Sequence, residues 1–242
     1  MQVRGSVDQP VQRSTVSATK EITLDLGLRS YMIRVYAYMS LGLGLTGLVV
    51  FYVASSPVVL VSIFTSPLKW VVMFAPLAMV FFLSARIATL SLSTAQMVFW
   101  IYAGLMGLSL SSIFLVFTGE SIARLFFITA SIFATMSLYG YTTRKDLTAM
   151  GSFLMMGVLG LLIASFVNLF FHSSAMQMMI SSIGVLVFTG LTAYDVQQIK
   201  ESYFDSDTAD IFGKKAILGA LQLYLDFINL FISLLQLSSD RR

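Results

Sequence analysis

Seven apolar runs, each long enough to cross a bilayer, occupy most of this 242-residue sequence. A membrane-spanning helix needs about 20 mainly apolar residues. Windows of that length predict helices over residues 31–53, 68–89, 96–117, 122–141, 152–171, 178–199 and 216–237. Because the connections are short, we predict an all-α, polytopic membrane protein. Its single seven-helix domain covers residues 31–237, with a flexible tail over 1–30 and a short C-terminal tail over 238–242.

The composition agrees with a protein embedded in lipid. Hydrophobic residues make up 57% of the chain and charged residues only 11%, whereas soluble domains carry about a quarter charged residues. The absence of cysteine excludes disulfides, thiolate metal sites and cysteine nucleophiles. The basic residues are scattered rather than clustered with aromatics, so we expect no nucleic-acid partner. The bilayer is the expected partner.

Lysine and arginine predict the orientation. They are concentrated in the N-terminal tail and in the fourth and sixth connections, at Arg4, Arg13, Lys20, Arg29, Arg144, Lys145, Lys200, Lys214 and Lys215. Short connections rich in these residues stay in the cytoplasm. The N-terminal region also lacks the short apolar core of a signal peptide. We therefore predict a cytoplasmic N-terminus and a last helix that crosses the membrane fully or nearly so.

Small residues recur in the first and third predicted helices, at Gly42, Gly44, Gly47, Gly104 and Gly107. In lipid, small residues let helix backbones approach closely. These positions therefore predict helix packing rather than a binding site.

Two aspartates lie inside the last two apolar runs, Asp195 in GLTAYDVQQIK and Asp226 in LYLDFINLFISLL. A charge within a membrane costs a few kcal/mol and usually has a function. The topology places both carboxyls in the cytoplasmic half of adjacent helices, with Asp226 about 15 Å along its helix. Contact between them is therefore possible. Local capping or pairing is the simpler alternative for each, although Asp226 lies too deep to be solvated.

A pair of close carboxyls cannot easily both ionise, so it would share a proton and respond to pH. When both are ionised, the pair offers hard oxygen ligands of the kind that calcium prefers. Protons and calcium would then compete for Asp195 and Asp226. We expect calcium as a bound or transported ion, and no other cofactor.

Polar residues accompany the aspartates on one face of each helix. On the seventh helix, Gln222, Asp226, Asn229, Ser233 and Gln236 recur every three or four residues. This spacing places them on one side of a helix. Thr192 and Gln198 share a face with Asp195 on the sixth helix. The two faces predict a polar lining made by Gln222, Asn229, Ser233, Thr192 and Gln198.

A further charge, Arg86, lies near the cytoplasmic end of the second predicted helix. An arginine at a helix end often extends to the lipid headgroups. It lies on the same side as the aspartates, so the alternative is that it neutralises or latches them.

The two aspartate segments, residues 190–200 and 223–235, resemble those of the Bax inhibitor-1 family, also called the transmembrane Bax inhibitor motif family. The second segment is the more specific match. The resemblance implies a central last helix surrounded by the other six, and a pH-sensitive calcium leak. It implies that Asp195 and Asp226 form the pH sensor and that Arg86 is the latch, so that protonation or loss of the arginine contact opens the pore. The short chain looks like a bacterial member, which implies the inner membrane.

Other functions remain open at this stage. The two aspartates are also similar to those of intramembrane aspartyl proteases, but Asp226 follows Leu-Tyr-Leu rather than Gly-x-Gly. We therefore predict no enzymatic activity. A proton-coupled transporter could use the same pair as its coupling site. A regulatory scaffold that binds other membrane proteins would conduct no ions.

Overall fold

The computed structural model describes the backbone of residues 9–238 and the side chains of residues 26–238. The described chain consists of helices and their connections. They are α1 (Gln9–Ala54), α2 (Pro57–Thr65), α3 (Leu68–Arg86), α4 (Leu92–Leu110), a 3-10 extension of α4 (Ser111–Leu115), α5 (Gly119–Thr142), α6 (Thr148–Phe171), α7 (Ser174–Glu201) and α8 (Ala209–Leu237). Residues 1–8 and 239–242 of the two predicted tails lie outside the described chain.

Seven of these helices are long and apolar enough to cross a membrane, which confirms the predicted all-α fold. The remaining α-helix, α2, has only nine residues and connects α1 to α3. The first helix starts at Gln9, well before the predicted boundary at Tyr31. An apolar window finds only the part of a helix that suits lipid, whereas helical hydrogen bonds continue through polar residues. The predicted tail is therefore helical from Gln9 onward.

Several helices begin where a hydroxyl group caps the first turn. Ser91, Thr118, Ser173 and Thr208 each accept a hydrogen bond from the backbone N–H three residues later. Such caps satisfy N–H groups that have no partner within the helix. They fix where four helices start, including α7 and α8.

The last helix is the centre of the bundle, as predicted. In α8, 67% of the most apolar 18-residue window is buried, against 11–33% in the other six spans. Four helices pack directly on α8: α1, α4, α5 and α7. The remaining spans lie outside this layer, since α3 packs on α4 and α6 packs on α7.

Glycines determine how closely some of these helices approach. A Cβ at Gly140 of α5 would lie against the backbone carbonyl of Ala193 in α7, and one at Gly107 would lie 2.8 Å from the backbone oxygen of Thr46. The packing prediction is correct for Gly42 and Gly107. It is wrong for Gly44, Gly47 and Gly104, where an added Cβ would meet no atom within 4 Å.

We call the end of the bundle that carries Arg29, Arg86, Arg144 and Lys200 the basic end. The start of α1 and the connections α3–α4, α5–α6 and α7–α8 lie at this end. The opposite end carries the α6–α7 connection with His172, which adopts a left-handed conformation (φ 49°) at the end of α6.

Candidate ion pathway between α7 and α8

The two aspartates meet at the interface of α7 and α8. Asp195 lies within two turns of the end of α7, and Asp226 lies in the middle of α8. Each is only 5% exposed, and their carboxyl groups are close enough to share a hydrogen bond. The possible contact between the two carboxyls is therefore present. A hydrogen bond between two carboxyls requires a proton on one of them.

The pair has few other partners. The side-chain amide of Gln222, one turn before Asp226, lies near the carboxyl of Asp195. Oδ2 of Asp226 is buried and receives no hydrogen bond from any described N–H or O–H donor. A buried carboxylate without a donor is unfavourable. A shared proton or a bound cation would compensate for the missing donor.

A polar cavity of about 370 Å³ lies between the pair and the basic end. Its polar walls come from α1, α7, α8 and the α7–α8 connection: Tyr31, Tyr194, Gln198, Ser202, Lys215 and Gln222. We call it the inner vestibule. Because Gln222 lines this cavity and also contacts Asp195, the vestibule reaches the aspartate pair.

Lys215 places a positive charge in the wall of the inner vestibule. Its Nζ donates to Oδ2 of Asp207 at 2.6 Å and to the backbone oxygen of Ser202 at 2.9 Å. The ammonium group also lies 4.7 Å from the ring centre of Phe204. These contacts hold the ammonium group against the α7–α8 connection.

Polar residues continue from the pair towards the opposite end. Ser233 and Asn229 bond to backbone oxygens of α8 one turn earlier. Beyond them, Oε1 of Gln236 accepts hydrogen bonds from Nε2 of Gln177 at 2.7 Å and Oγ of Ser181 at 3.3 Å. The polar face predicted for α8 therefore meets α7 at Asp226, Ser233 and Gln236.

A second cavity, of about 350 Å³, lies at the α6–α7 connection and is lined by Asn168, His172, Ser173 and Gln177 among others. We call it the outer vestibule. Nδ2 of Asn168 donates to Oε1 of Gln177 at 3.1 Å. The amide network thus joins the outer vestibule to the polar face of α8.

Helices α7 and α8 approach each other closely at Gly184. A Cβ at this position would lie 2.6 Å from Oγ of Ser233 and 3.3 Å from its Cβ. Gly184 therefore allows the two helices to close between the outer vestibule and the aspartates.

The predicted lining residues have different surroundings. Gln222 and Gln198 line the inner vestibule. Thr192 is fully buried, and its hydroxyl donates to the backbone oxygen of Phe188 at 2.8 Å. The hydroxyl of Thr192 therefore bonds within α7.

Arg86 is separate from the aspartates. Its side chain is exposed at the end of α3, one helix layer away from α8. The groups that interact with the two carboxyls are each other and the amide of Gln222. Its role as a latch stays a prediction.

Sequence reasoning missed Gln177, Ser181, Asn168, Tyr31 and Lys215. A signal for two of them was available, because Gln177, Ser181 and Gly184 continue the three-to-four-residue spacing that leads to Thr192 and Asp195. Gln197 was also missed. It is buried and bonds to the backbone of Lys145 and Leu147, which attaches the α5–α6 connection to α7.

The aspartate pair offers only part of the oxygen ligand set that a calcium ion needs. Calcium takes about six to eight oxygens, and the pair supplies two carboxyl groups with the amide of Gln222 nearby. Among residues 26–238, no group of three or more His, Cys, Asp or Glu side chains could complete a metal site. Water or backbone oxygens would have to supply the remaining ligands.

Comparison with known proteins identifies relatives along nearly the whole chain. The family described as "Inhibitor of apoptosis-promoting Bax1" matches residues 28–242. Inner membrane protein YbhL of Escherichia coli K12 is 47% identical over 219 residues, which cover 89% of this chain and 94% of the relative. Protein RP147 of Rickettsia prowazekii is 46% identical over 230 residues, which cover 95% and 98%.

The seven apolar spans and these relatives establish a multi-pass integral membrane protein. The match also covers both aspartate segments and the central helix that carries Asp226. This chain belongs to the Bax inhibitor-1 family.

Proposed function

We propose that this protein is a pH-sensitive calcium leak pathway and that Asp195 and Asp226 control it by sharing a proton. The observation that carries the proposal is the contact between two buried carboxyls at the α7–α8 interface. A polar vestibule on either side supports it, because an ion must reach the pair from both ends.

The shared proton keeps the interface together. With one proton present, the two carboxyls form a hydrogen bond and carry one negative charge. When this proton leaves, two negative charges face each other in a site of low dielectric constant, where their repulsion is strong. The pair must then separate or bind a cation. Proton binding and cation binding are therefore alternative states of one site.

Calcium matches the ionised pair in charge and in ligand type. Its two positive charges balance two carboxylates, and hard oxygens are its preferred ligands. Conduction also requires binding weak enough for the ion to leave. Two carboxylates with a single amide beside them suit transient binding better than storage.

The decisive experiment is calcium flux into dye-loaded liposomes that contain the purified protein, measured across a range of pH. Wild type should show flux that is low in acid and rises as the shared proton is lost at higher pH, since the ionised carboxyls repel each other. This direction is opposite to the opening by protonation that the family resemblance implies. Asn resembles a permanently protonated carboxyl, so Asp195→Asn and Asp226→Asn should each give flux independent of pH, at the level of wild type in acid. Asp205→Asn, in the exposed α7–α8 connection, is the matched control and should behave like wild type.

The result also separates the alternatives. Absence of flux from wild type at every pH would contradict the leak and favour a scaffold. Proton movement coupled to calcium movement would identify a transporter. Cleavage of a membrane peptide that both Asn variants abolish would identify a protease. An unchanged pH profile in both variants would contradict the role of the two aspartates as the pH sensor, but it would not contradict the calcium leak itself.

We also propose that the basic end faces the cytoplasm and that the protein resides in an inner membrane. The charge distribution supports this orientation, and the relative YbhL is described as an inner membrane protein. Because the chain has no cysteine, single cysteines report the topology directly. A membrane-impermeant maleimide should label Ser174→Cys in intact spheroplasts, but label Ser206→Cys only after lysis.

A further inference from the structure

A large groove lies on the other side of α8, away from the aspartate pair. Helices α1 and α5 both pack on α8 but leave a cavity of about 920 Å³ between them. This volume is at the upper end of the range for small-molecule pockets, about 300–1,000 Å³. Gly44, Gly47 and Leu138 on its walls are exposed, so the groove opens towards the lipid.

The floor of the groove is apolar and aromatic. Phe227 of α8 forms part of it, and the rings of Phe126 and Phe133 lie in edge contact with Phe227, with centroids 5.4 and 5.6 Å away. These aromatic residues suit a hydrocarbon chain. Tyr36 and Ser137 also line the groove. Oγ of Ser137 is buried and has no hydrogen-bond partner among the described residues, so it could accept or donate a hydrogen bond to the polar glycerol or ester region of an occupant.

Two glycines keep the groove open. A Cβ at Gly44 or Gly47 would meet no atom within 4 Å, whereas one at Gly42, on the same helix, would lie 3.0 Å from the ring of Phe99. Gly42 thus permits helix packing, but Gly44 and Gly47 border empty space. Because neither position carries a side chain, the groove has space for another molecule beside these two glycines.

Positive charge is present at one end of the groove. Arg29 lines it at the basic end and is exposed. Tyr141 lines the same cavity, and Nζ of Lys200 lies 5.1 Å from the centre of its ring. The other wall residues of the groove are uncharged. An occupant with an apolar body and an anionic end at the level of Arg29 complements this distribution.

We propose that the groove binds one anionic phospholipid, with an acyl chain along Gly44 and Gly47 and the phosphate beside Arg29. Membrane lipids already surround this surface, and basic residues at the membrane surface attract anionic headgroups. The proposal concerns a different face of α8 from the ion pathway and does not depend on calcium conduction.

Native mass spectrometry of the full-length protein in detergent tests the proposal directly. The protein is incubated with equal amounts of phosphatidylglycerol and phosphatidylethanolamine. Wild type should retain one lipid, with phosphatidylglycerol preferred about fivefold. Arg29→Gln should keep the lipid but lose the preference. Gly44→Phe and Gly47→Phe should each lose retention of both lipids.

The matched control is Gly160→Phe. Gly160 lies on the exposed face of α6, and it too has no atom within 4 Å of an added Cβ. This variant should retain phosphatidylglycerol as wild type does. Arg29→Gln changes only an exposed side chain and should fold normally. It therefore still tests the proposal if Gly44→Phe or Gly47→Phe does not fold.

Three results would overturn the proposal. The first is equal retention of the two lipids by wild type. The second is unchanged lipid retention by folded Gly44→Phe and Gly47→Phe proteins. The third is a dimer that these two variants dissociate, since the occupant would then be a helix of a second copy.

Discussion

Helices α6 and α8 show that apolarity and burial are separate properties in this protein. The most apolar window of α6 has a mean hydropathy of 2.3, and only 11% of it is buried. The corresponding values for α8 are 1.7 and 67%. In a soluble protein the more apolar helix would be expected in the core. Here lipid accepts the apolar helix, and the protein interior receives the helix that carries polar groups.

Individual polar groups on the two helices can be compared by their hydrogen-bond partners. On α8, the hydroxyl of Tyr224 lies 2.6 Å from that of Thr46 on α1, and Gln236 bonds to Gln177 on α7. On α6, the exposed Ser152 donates to its own backbone at Thr148. Tyr224 and Gln236 therefore join α8 to neighbouring helices, whereas Ser152 bonds within α6. Each helix also has the other kind of bond, since Ser233 bonds within α8 and Asn168 joins α6 to Gln177 of α7.

The largest expected difference concerns the same truncation on each helix. Leu223 of α8 is fully buried, and Leu162 of α6 is 61% exposed. Leu223→Ala should lower the free energy of unfolding by about 2–5 kcal/mol because it leaves a cavity. Leu162→Ala should change it little, since lipid fills the space. Unfolding in mixed micelles titrated with dodecyl sulfate measures both, and equal losses would contradict the comparison.

An added methyl group should distinguish close helix contacts from lipid contacts. Gly184→Ala places a Cβ 2.6 Å from Oγ of Ser233, and should cost about 1–3 kcal/mol of unfolding free energy. Gly160→Ala on α6 should cost nothing. If the clash is the cause, the loss from Gly184→Ala should shrink in a Ser233→Ala background. The same micelle titration gives this coupling, and purely additive losses would rule out the clash.

The smallest expected difference concerns single hydroxyl groups. Tyr224→Phe removes the hydrogen bond to Thr46 between helices and should cost about 0.6 kcal/mol, the average for such bonds in membranes. Ser152→Ala removes a bond within one turn of α6 and should be neutral. Thermal melts in detergent compare the two variants. A larger loss from Ser152→Ala would break the distinction between α8 and α6.

The site was only partly predictable from the sequence. The spacing of Gln222, Asp226 and Asn229 identified the polar face of α8, because helical geometry alone determines which residues share a face. The same spacing on α7 extends to Gln177 and was not followed that far. Arg86 was grouped with the aspartates because the hydropathy pattern places all three at a similar depth, on the same side of the membrane. Depth does not say which helices are neighbours, and the structure places α3 outside the layer that contacts α8.

The sequence by itself determined the seven spans, the family and the two aspartates within the membrane, because the free-energy cost of a polar group in lipid depends on local composition. Only the tertiary structure decided that Asp195 contacts Asp226, that Lys215 borders their vestibule, and that Gly44 faces a groove while Gly42 is packed. Those facts depend on which helix faces meet. In lipid, contacts between helices come from close packing and individual hydrogen bonds rather than from hydrophobic burial, and hydropathy does not record them.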